Sequence, residues 1–231
     1  MELGMQEDIK SNLQKIKSSL PDPEPVLVAI SKTKPREAIQ AAYDAGHLDF
    51  GENKAQEMTT KYEVLPKDIR WHFVGHLQRN KVKYLAPYVY LIHSVDSEKL
   101  LKEIDKQAQK NNRVINCLLQ MHIAQEATKF GFDEEELTSL LDEGITNKYK
   151  HVAIKGMMGM ATFTDNNDQV ASEFQYLKNL FENIKNRYTK EDRFEMEILS
   201  MGMSGDYEIA LEKGSNMIRI GTAIFGERNY H

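Results

Sequence analysis

Short apolar runs recur along the chain, and helix-like stretches with one apolar face separate most of them. A helix at about 5–20 precedes the first run. Further helices are predicted at 35–46, which starts with proline and closes with glycine, at 97–110 with Ser97 as its cap, and at 168–188. The apolar runs predict eight strands, at 26–31, 47–52, 70–75, 89–95, 115–122, 152–160, 196–203 and 217–221.

Eight strands alternating with helices in 231 residues predict an α/β fold, a single (β/α)8 TIM barrel with an extra N-terminal helix. An open doubly wound sheet is the alternative. Such sheets usually have fewer strands, and the sequence lacks the G-x-G-x-x-G loop of a dinucleotide site. No linker rich in proline, glycine or serine interrupts the chain, so we interpret 1–231 as one domain. Little sequence follows the eighth strand, and we expect the N-terminal helix to take the place of a closing helix.

Composition limits the possible functions. Hydrophobic residues make up 41% and charged residues 28% of the chain, the balance of a soluble protein. The net charge of −5 argues against a broad nucleic-acid or anionic-membrane surface. The polar start is unlike a signal peptide, and no apolar run approaches the roughly 20 residues of a membrane helix. The single cysteine, Cys117, is interpreted as a buried thiol, which suits a reducing cytoplasm.

In a barrel of this kind the active site lies at the carboxyl ends of the strands. Almost all residues at the predicted ends are polar, while the strands behind them are apolar. Polar ends are partly expected in any barrel because they meet water, so the combination of residue types carries more weight. The residues at these ends are Lys32, Asn53, His76, Ser94, Asp96, His122, Thr162, Ser204, Gly221 and Thr222.

The last two strands predict an anion site. Barrels often bind phosphate in the loops after strands seven and eight, where backbone N–H groups and a helix N-terminus converge. Gly205 and Gly221 allow a ligand close to the backbone. Ser204, predicted near a helix N-cap, and Thr222 add hydroxyl donors. The alternative is purely structural, with Ser204 only capping a helix and Gly221 only allowing packing.

Arg219 is predicted to face the interior of the barrel near its mouth. Side chains alternate along a strand, and its neighbours Ile218 and Ile220 suit the face that packs on the outer helices. A guanidinium is costly to bury without acceptors. Arg219 therefore donates either to a ligand or to an internal carboxylate such as Asp49.

Lys32 shares a face with Val28 and Ile30 and follows the first strand, which adjoins the last strand in a closed barrel. A partly desolvated amine close to another cation is more often uncharged, and the free amine forms Schiff bases with carbonyls. The alternative is a surface lysine whose charge stays in water, the interpretation kept for Lys34. An amine, an arginine and a phosphate site together suit pyridoxal 5'-phosphate (PLP), which carries an aldehyde, a ring nitrogen and a phosphate.

The chain contains, in order, the stretches VAISKTKP, FGENKAQE, WHFVGHLQRNK, IHSVDS, IKGMMGMAT, LSMGMSGDYEIAL and RIGTAIFGERNY. Together they resemble the pyridoxal phosphate homeostasis protein family, small proteins that hold PLP on a single barrel similar to the N-terminal domain of alanine racemase. The resemblance runs from about 26 to 230.

The resemblance implies that Lys32 holds PLP covalently as a Schiff base and that Arg219 faces its ring nitrogen. It further implies that Asn53 lies near the ring and that His76 and Met203 line the pocket. The complete implied cofactor-binding set is Lys32, Asn53, His76, Met203, Ser204, Arg219, Gly221 and Thr222. No catalytic residue and no metal ligand is expected.

The expected function is therefore PLP binding in vitamin B6 and amino-acid homeostasis, without robust turnover. A charged arginine at the ring nitrogen keeps that nitrogen unprotonated and the ring a weaker electron sink. Racemases that resemble this barrel add a second domain and a residue from a partner subunit, for which this chain has no room. PLP is the expected small-molecule partner, with transient apo-enzyme recipients, a monomeric state and a cytoplasmic location.

Two enzymatic alternatives remain open. The first is a minimal PLP-dependent amino-acid racemase, which needs a second proton donor such as His76 or His122. The second is a Schiff-base aldolase acting on a phosphorylated sugar, with Asp96 as its acid/base partner.

Overall fold

The computed structural model describes residues 2–127, 130–188 and 191–227. Eight parallel strands hydrogen-bond in chain order and the first pairs with the last, so the sheet closes into a barrel. The predicted (β/α)8 fold is confirmed. The strands are β1 (Val26–Ile30), β2 (Asp49–Glu52), β3 (Arg70–Phe73), β4 (Leu91–Val95), β5 (Ile115–Met121), β6 (Val152–Gly159), β7 (Phe194–Met203) and β8 (Met217–Ile220).

Helices follow the strands, and local signals explain several of their boundaries. Pro35 stands at the N-cap of the second helix, and Ser97 caps the fifth by accepting the N–H of Leu100 at 3.2 Å. None of the described helices is long and apolar enough to cross a membrane. The helices are α1 (Glu2–Ser19), α2 (Arg36–Asp44), α3 (Ala55–Val64), α4 (Val82–Leu85), α5 (Glu98–Lys110), α6 (Glu134–Asp142), α7 (Ile145–Lys148), α8 (Asn167–Arg187), α9 (Tyr207–Glu212) and α10 (Thr222–Phe225), with a 3-10 turn at Arg79–Lys81.

The N-terminal helix α1 covers the region where the ring closes. It buries Ile9, Leu13 and Ile16 on one face and packs against α2 and α10. The Nδ2 of Asn12 donates to the carbonyl of Ile224 at 3.1 Å, which ties α1 to the segment after β8. Since α10 is a single turn, α1 supplies the cover that a full closing helix would give, as the sequence predicted.

The core has two layers, and alternation along the strands separates them. Ile218 and Ile220 are fully buried in the outer layer between sheet and helices, together with Cys117. Burial raises the pKa of the Cys117 thiol. Val28 and Met217 belong to the smaller layer inside the barrel. Arg219, which lies between Ile218 and Ile220 and on the same face as Met217, therefore points inward, toward the polar groups described next.

Candidate functional site

A cavity of about 390 Å³ opens at the carboxyl ends of the strands, beside the line where β1 pairs with β8. Segments that follow β1, β6, β7 and β8 build its wall. The structure brings six of the eight predicted binding residues together there. These six are Lys32, Met203, Ser204, Arg219, Gly221 and Thr222.

Lys32 is the second residue beyond β1, and its side chain is half-buried on the cavity wall. The backbone on either side of it is fixed. Ser31 continues the sheet by donating its N–H to the carbonyl of Gly51 at 3.0 Å. Thr33 has a φ of 66°, a left-handed conformation that a β-branched residue rarely adopts, and its N–H donates to Oε1 of Glu57 at 2.6 Å. The segment that carries the amine is thus held in one conformation.

Three ionisable side chains, the Lys61 cluster (Glu52, Glu57 and Lys61), lie behind this segment, with Glu52 and Lys61 buried and Glu57 half-buried. The Nζ of Lys61 is 2.5 Å from Oε1 of Glu52 and 2.9 Å from Oε1 of Glu57. Glu52 is fully buried and also accepts from the hydroxyl of Ser31 at 2.7 Å. Burial raises the pKa of Glu52 to about 7, because the loss of hydration outweighs the attraction of Lys61.

Arg219 lies inside the barrel, as the alternation along β8 predicted, and forms part of the cavity floor. Its Nη1 donates to Oγ of Ser200 and its Nη2 to the carbonyl of Gly159 at 3.3 Å. Burial lowers the pKa of Arg219 to about 10, so the guanidinium stays charged at neutral pH. The cavity therefore has a permanent cation at its floor and an amine on its wall.

Asp49, the internal carboxylate considered for Arg219, contacts other groups. Its Oδ2 accepts from Nη2 of Arg70 at 2.7 Å, and its Oδ1 lies 2.9 Å from Nε2 of His72. The alternative of a direct ion pair between Asp49 and Arg219 is therefore wrong. Any link between the two residues runs through other side chains.

Ser204 lies near the start of the helix after β7, as predicted, but the alternative in which it caps this helix is wrong. The helix α9 begins at Tyr207 with Asp206 as its N-cap residue, two positions beyond Ser204. A turn intervenes, in which Asp206 donates its N–H to the carbonyl of Met203 at 3.0 Å and accepts the N–H of Met203 at 2.7 Å. Ser204 is exposed within this turn. A side chain built on Gly205 would meet nothing within 4 Å, so the turn leaves open space at the cavity mouth.

The loop after β8 packs directly on β1. A Cβ placed on Gly221 would lie 3.1 Å from the carbonyl oxygen of Ile30, a contact tighter than normal packing. The lack of a side chain at Gly221 lets the first turn of α10 approach the strand that ends just before Lys32. Thr222, the first residue of that turn, is exposed at the mouth. The two segments predicted to cradle an anion therefore face the same cavity as the amine.

Asn53 and His76 line a separate depression instead of this cavity. The ring of His76 stacks on Phe130 with centroids 3.8 Å apart, and its Nδ1 is 3.2 Å from Oδ2 of Asp96. His122 contacts the carbonyl of Glu126 through Nε2 at 3.0 Å. Their predicted roles toward a ligand stay predictions, and neither histidine belongs to the cavity wall.

Sequence reasoning missed Lys34, which it treated as a surface lysine. Lys34 is half-buried and lines the cavity. Its Nζ donates to the carbonyls of Phe225 at 3.3 Å, and of Gly226 and Glu227 at 2.9 Å each. The signal was its position two residues after Lys32 and immediately before a proline-capped helix, which keeps both lysines close to the barrel mouth.

The sequence matches a known protein family over nearly its whole length. Residues 6–229 match the family model described as the N-terminal domain of alanine racemase. The pyridoxal phosphate homeostasis protein of Aquifex aeolicus is 41% identical over 205 residues, which are 88% of this chain and 87% of that protein.

Solved structures with a similar fold include close and distant relatives in sequence. The fold is similar to that of PipY from Synechococcus elongatus PCC7942 without PLP, with a TM-score of 0.87 and 33% identity over 94% of this chain and all of that one. PipY with PLP bound gives a TM-score of 0.84 and 32% identity with the same coverage. Alanine racemase from Streptomyces coelicolor A3(2) shares the fold at a TM-score of 0.78 with 14% identity, and the match covers 96% of this chain and 59% of that chain.

Proposed function

Since the chain belongs to the pyridoxal phosphate homeostasis protein family and has the fold of the alanine racemase N-terminal domain, we propose that it binds PLP in the cavity at the carboxyl ends of its strands. Its role is to hold this reactive aldehyde reversibly. The observation that carries the proposal is that Lys32, Arg219 and the loop at Gly221 belong to one cavity although they come from opposite ends of the barrel sequence.

The residues of the cavity fit the three chemical groups of PLP. Lys32 offers a primary amine to the aldehyde, and Arg219 offers N–H donors to the ring nitrogen. Thr222 and the open backbone at Gly205 suit a phosphate, which needs close approach to N–H groups. The volume of about 390 Å³ lies within the range of small-molecule sites, about 300–1,000 Å³.

Lys32 has the central chemical role in this proposal. Its amine would hold the aldehyde reversibly, with one water released on binding and one consumed on release. The fixed backbone at Ser31 and Thr33 keeps the amine on the cavity wall at both stages. Bound PLP supplies an electron-withdrawing ring. Arg219, a buried permanent cation, disfavours a proton on the ring nitrogen and so weakens that withdrawal.

We further propose that the protein is a carrier and not a robust catalyst. A racemase needs a second proton donor on the face of the ligand opposite Lys32. Among the described residues, the two histidines considered for this task, His76 and His122, lie outside the cavity wall. The cytoplasm as location, the monomeric state, the single domain and delivery of PLP to apo-enzymes belong to the same proposal. The buried, unreactive Cys117 is in keeping with that location.

The test is an absorbance spectrum of the protein mixed with PLP, with and without borohydride, followed by mapping of the reduced adduct. We expect an absorbance band near the visible edge and a reduced adduct on Lys32. Lys32→Ala should lose both, whereas Lys34→Ala, which removes the neighbouring amine on the same wall, should keep the adduct. An adduct on Lys34 or on a surface lysine overturns the proposal for the site.

A second measurement separates carrier from enzyme. The protein loaded with PLP is mixed with single L-amino acids in deuterated water, and exchange at Cα is followed. We expect slow exchange that His76→Ala leaves unchanged. Rapid turnover of one amino acid overturns the carrier proposal but leaves the PLP site intact.

A further inference from the structure

A row of polar side chains crosses the interior of the barrel, where apolar residues would be expected. Histidines from β3 and β4 are fully buried, as is a serine from β7, and the two ends of the row are nearly so. We call this set the polar row. It consists of Asp49, His72, His93, Ser200 and Arg219.

Each member of the polar row is hydrogen-bonded to the next. Nε2 of His72 is 2.9 Å from Oδ1 of Asp49, and Nδ1 of His72 is 2.8 Å from Nε2 of His93. Nδ1 of His93 is 2.9 Å from Oγ of Ser200, which also accepts from Nη1 of Arg219. Asp49 begins β2 and borders a depression at the amino ends of the strands, whereas Arg219 borders the cavity at the carboxyl ends. The row therefore connects the two ends of the barrel.

The chemistry of the two end groups sets the direction of every hydrogen bond. Burial opposes ionisation of Asp49, but the contacts with His72 and Arg70 outweigh it and lower the pKa, so Asp49 is a carboxylate that only accepts. Arg219 only donates. Burial also lowers the pKa of both histidines, so each imidazole is neutral and carries one proton.

Only one arrangement of protons avoids two acceptors facing each other along the row. Nε2–H of His72 donates to Asp49, which leaves Nδ1 of His72 to accept from Nε2–H of His93. Nδ1 of His93 then accepts from the hydroxyl of Ser200, whose lone pairs face the guanidinium. All bonds donate toward Asp49.

We propose that the polar row is a positioning device in which Asp49, at the far end of the barrel, fixes the orientation of Arg219 at the cavity floor through His72, His93 and Ser200. None of these four residues belongs to the cavity wall, so they act through Arg219. With Nη1 held by Ser200 and Nη2 by Gly159, the remaining N–H groups of Arg219 keep a constant direction. The consequence for ligand affinity rests on the proposed binding of PLP.

The substitution Asp49→Asn tests the direction with almost no change in volume. The single oxygen of the new amide is expected to stay with Arg70, which only donates, and this turns the NH2 group toward Nε2 of His72. Nε2 then has to accept, so the proton moves to Nδ1 of His72. The same exchange follows at His93, whose Nδ1–H now donates to Ser200. The change of one functional group is thus expected to reverse the donor and acceptor roles in the hydrogen bonds from residue 49 to Ser200.

Nitrogen-15 NMR of the histidine rings in the protein without ligand reads this reversal directly. We expect Nε2–H tautomers for His72 and His93 in the native protein and Nδ1–H tautomers in Asp49→Asn. In the same samples the N–H groups of Arg219 should exchange with solvent faster in Asp49→Asn and in Ser200→Ala. PLP should bind about tenfold more weakly to both variants, the usual size of an effect transmitted through a supporting partner.

Ser215→Ala is the matched control for Ser200→Ala. Ser215 is also a buried serine, but its hydroxyl contacts only backbone carbonyls, those of Leu199, Met201 and Met217, and no side chain of the row. Ser215→Ala should leave the histidine tautomers, the solvent exchange of the Arg219 N–H groups and the PLP affinity unchanged, even if the substitution lowers stability.

The possible outcomes separate the two proposals. An Nδ1–H tautomer at either histidine of the native protein overturns the direction of the row, and this result needs no variant to fold. Reversed tautomers with unchanged Arg219 exchange overturn the positioning role. Failure of the native protein to bind PLP overturns the proposed function alone, because tautomers and exchange are read without it.

Discussion

The Nζ of Lys61 donates to the carbonyl oxygen of Ser31 at 2.7 Å, across the space between α3 and the end of β1. This contact ties a buried cation to the backbone immediately before Lys32. Glu57, a member of the same Lys61 cluster, holds the N–H of Thr33 immediately after it. The cluster therefore fixes the segment that carries Lys32 from both sides without entering the cavity.

Replacing Lys61 with methionine should destabilise the fold by about 3 kcal/mol, because it leaves the fully buried Glu52 without its cation. The measurement is urea unfolding followed by tryptophan fluorescence. Lys178→Met is the control, since Lys178 pairs with Glu182 at a more exposed site where we expect less than about 1 kcal/mol. Equal losses in the two variants would contradict a structural role for the cluster.

The stability of the fold should depend on pH through Glu52. Its pKa in the folded protein, about 7, lies above the ordinary value of 4.5, so the folded state binds the proton more tightly than the unfolded state. The resulting stabilisation is complete below pH 4.5 and is lost as the pH rises to about 7. We expect the free energy of unfolding of the native protein, minus that of Glu52→Gln, to fall across this window. A difference that rises with pH would contradict the assignment.

The two glycines of the predicted anion site should respond differently to alanine. Gly221→Ala pushes a methyl group against the carbonyl of Ile30, 3.1 Å away, and should cost about 1–3 kcal/mol of stability. Gly205→Ala meets no atom within 4 Å and should change stability by less than about 0.5 kcal/mol.

Titration with PLP measures a second property of the Gly205→Ala variant, its affinity for PLP. If the open space at Gly205 receives the phosphate, Gly205→Ala weakens PLP binding while thermal and urea unfolding stay unchanged. Unaltered affinity in a well-folded Gly205→Ala protein would place the phosphate elsewhere.

Lys34→Met should loosen the segment after β8. The substitution removes three donations to the carbonyls of Phe225, Gly226 and Glu227, and hydrogen bonds to a charged group contribute about 1.5–3 kcal/mol each. Amide hydrogen exchange at Phe225 and Gly226 is expected to become at least about tenfold faster, since about 1.4 kcal/mol corresponds to that factor. The amide of Ile220, within β8, serves as the internal control and should not change.

The sequence was sufficient to predict the barrel and the inward direction of Arg219, because both follow from patterns that repeat along the chain. Strand alternation placed Ile218 and Ile220 outside and Arg219 inside. The shared location of Lys32 and Gly221 followed from closing the ring, since adjacent strands bring their carboxyl ends together.

The predictions from the sequence were wrong or incomplete where residues far apart along the chain are in contact in the fold. Ser204 looked like a helix cap because hydroxyl residues are common there, but a turn closed by Asp206 delays the helix. Lys61 lies on a helix of low amphipathicity, and nothing in its neighbourhood along the chain indicates that it is buried. The histidines His72 and His93 belong to different strands, and only the register of the barrel shows that their rings touch.

The pairing of β1 with β8 also has a consequence for synthesis. Lys32 leaves the ribosome early, whereas Arg219 and the loop at Gly221 emerge only after seven strands have been made. Until the last strand joins, the growing chain exposes the unpaired edges of β1 and β7, which makes it open to association with other chains. An aldehyde that meets the nascent protein finds Lys32 without Arg219 and the loop at Gly221, so under the proposed function the ability to retain PLP arises only with ring closure.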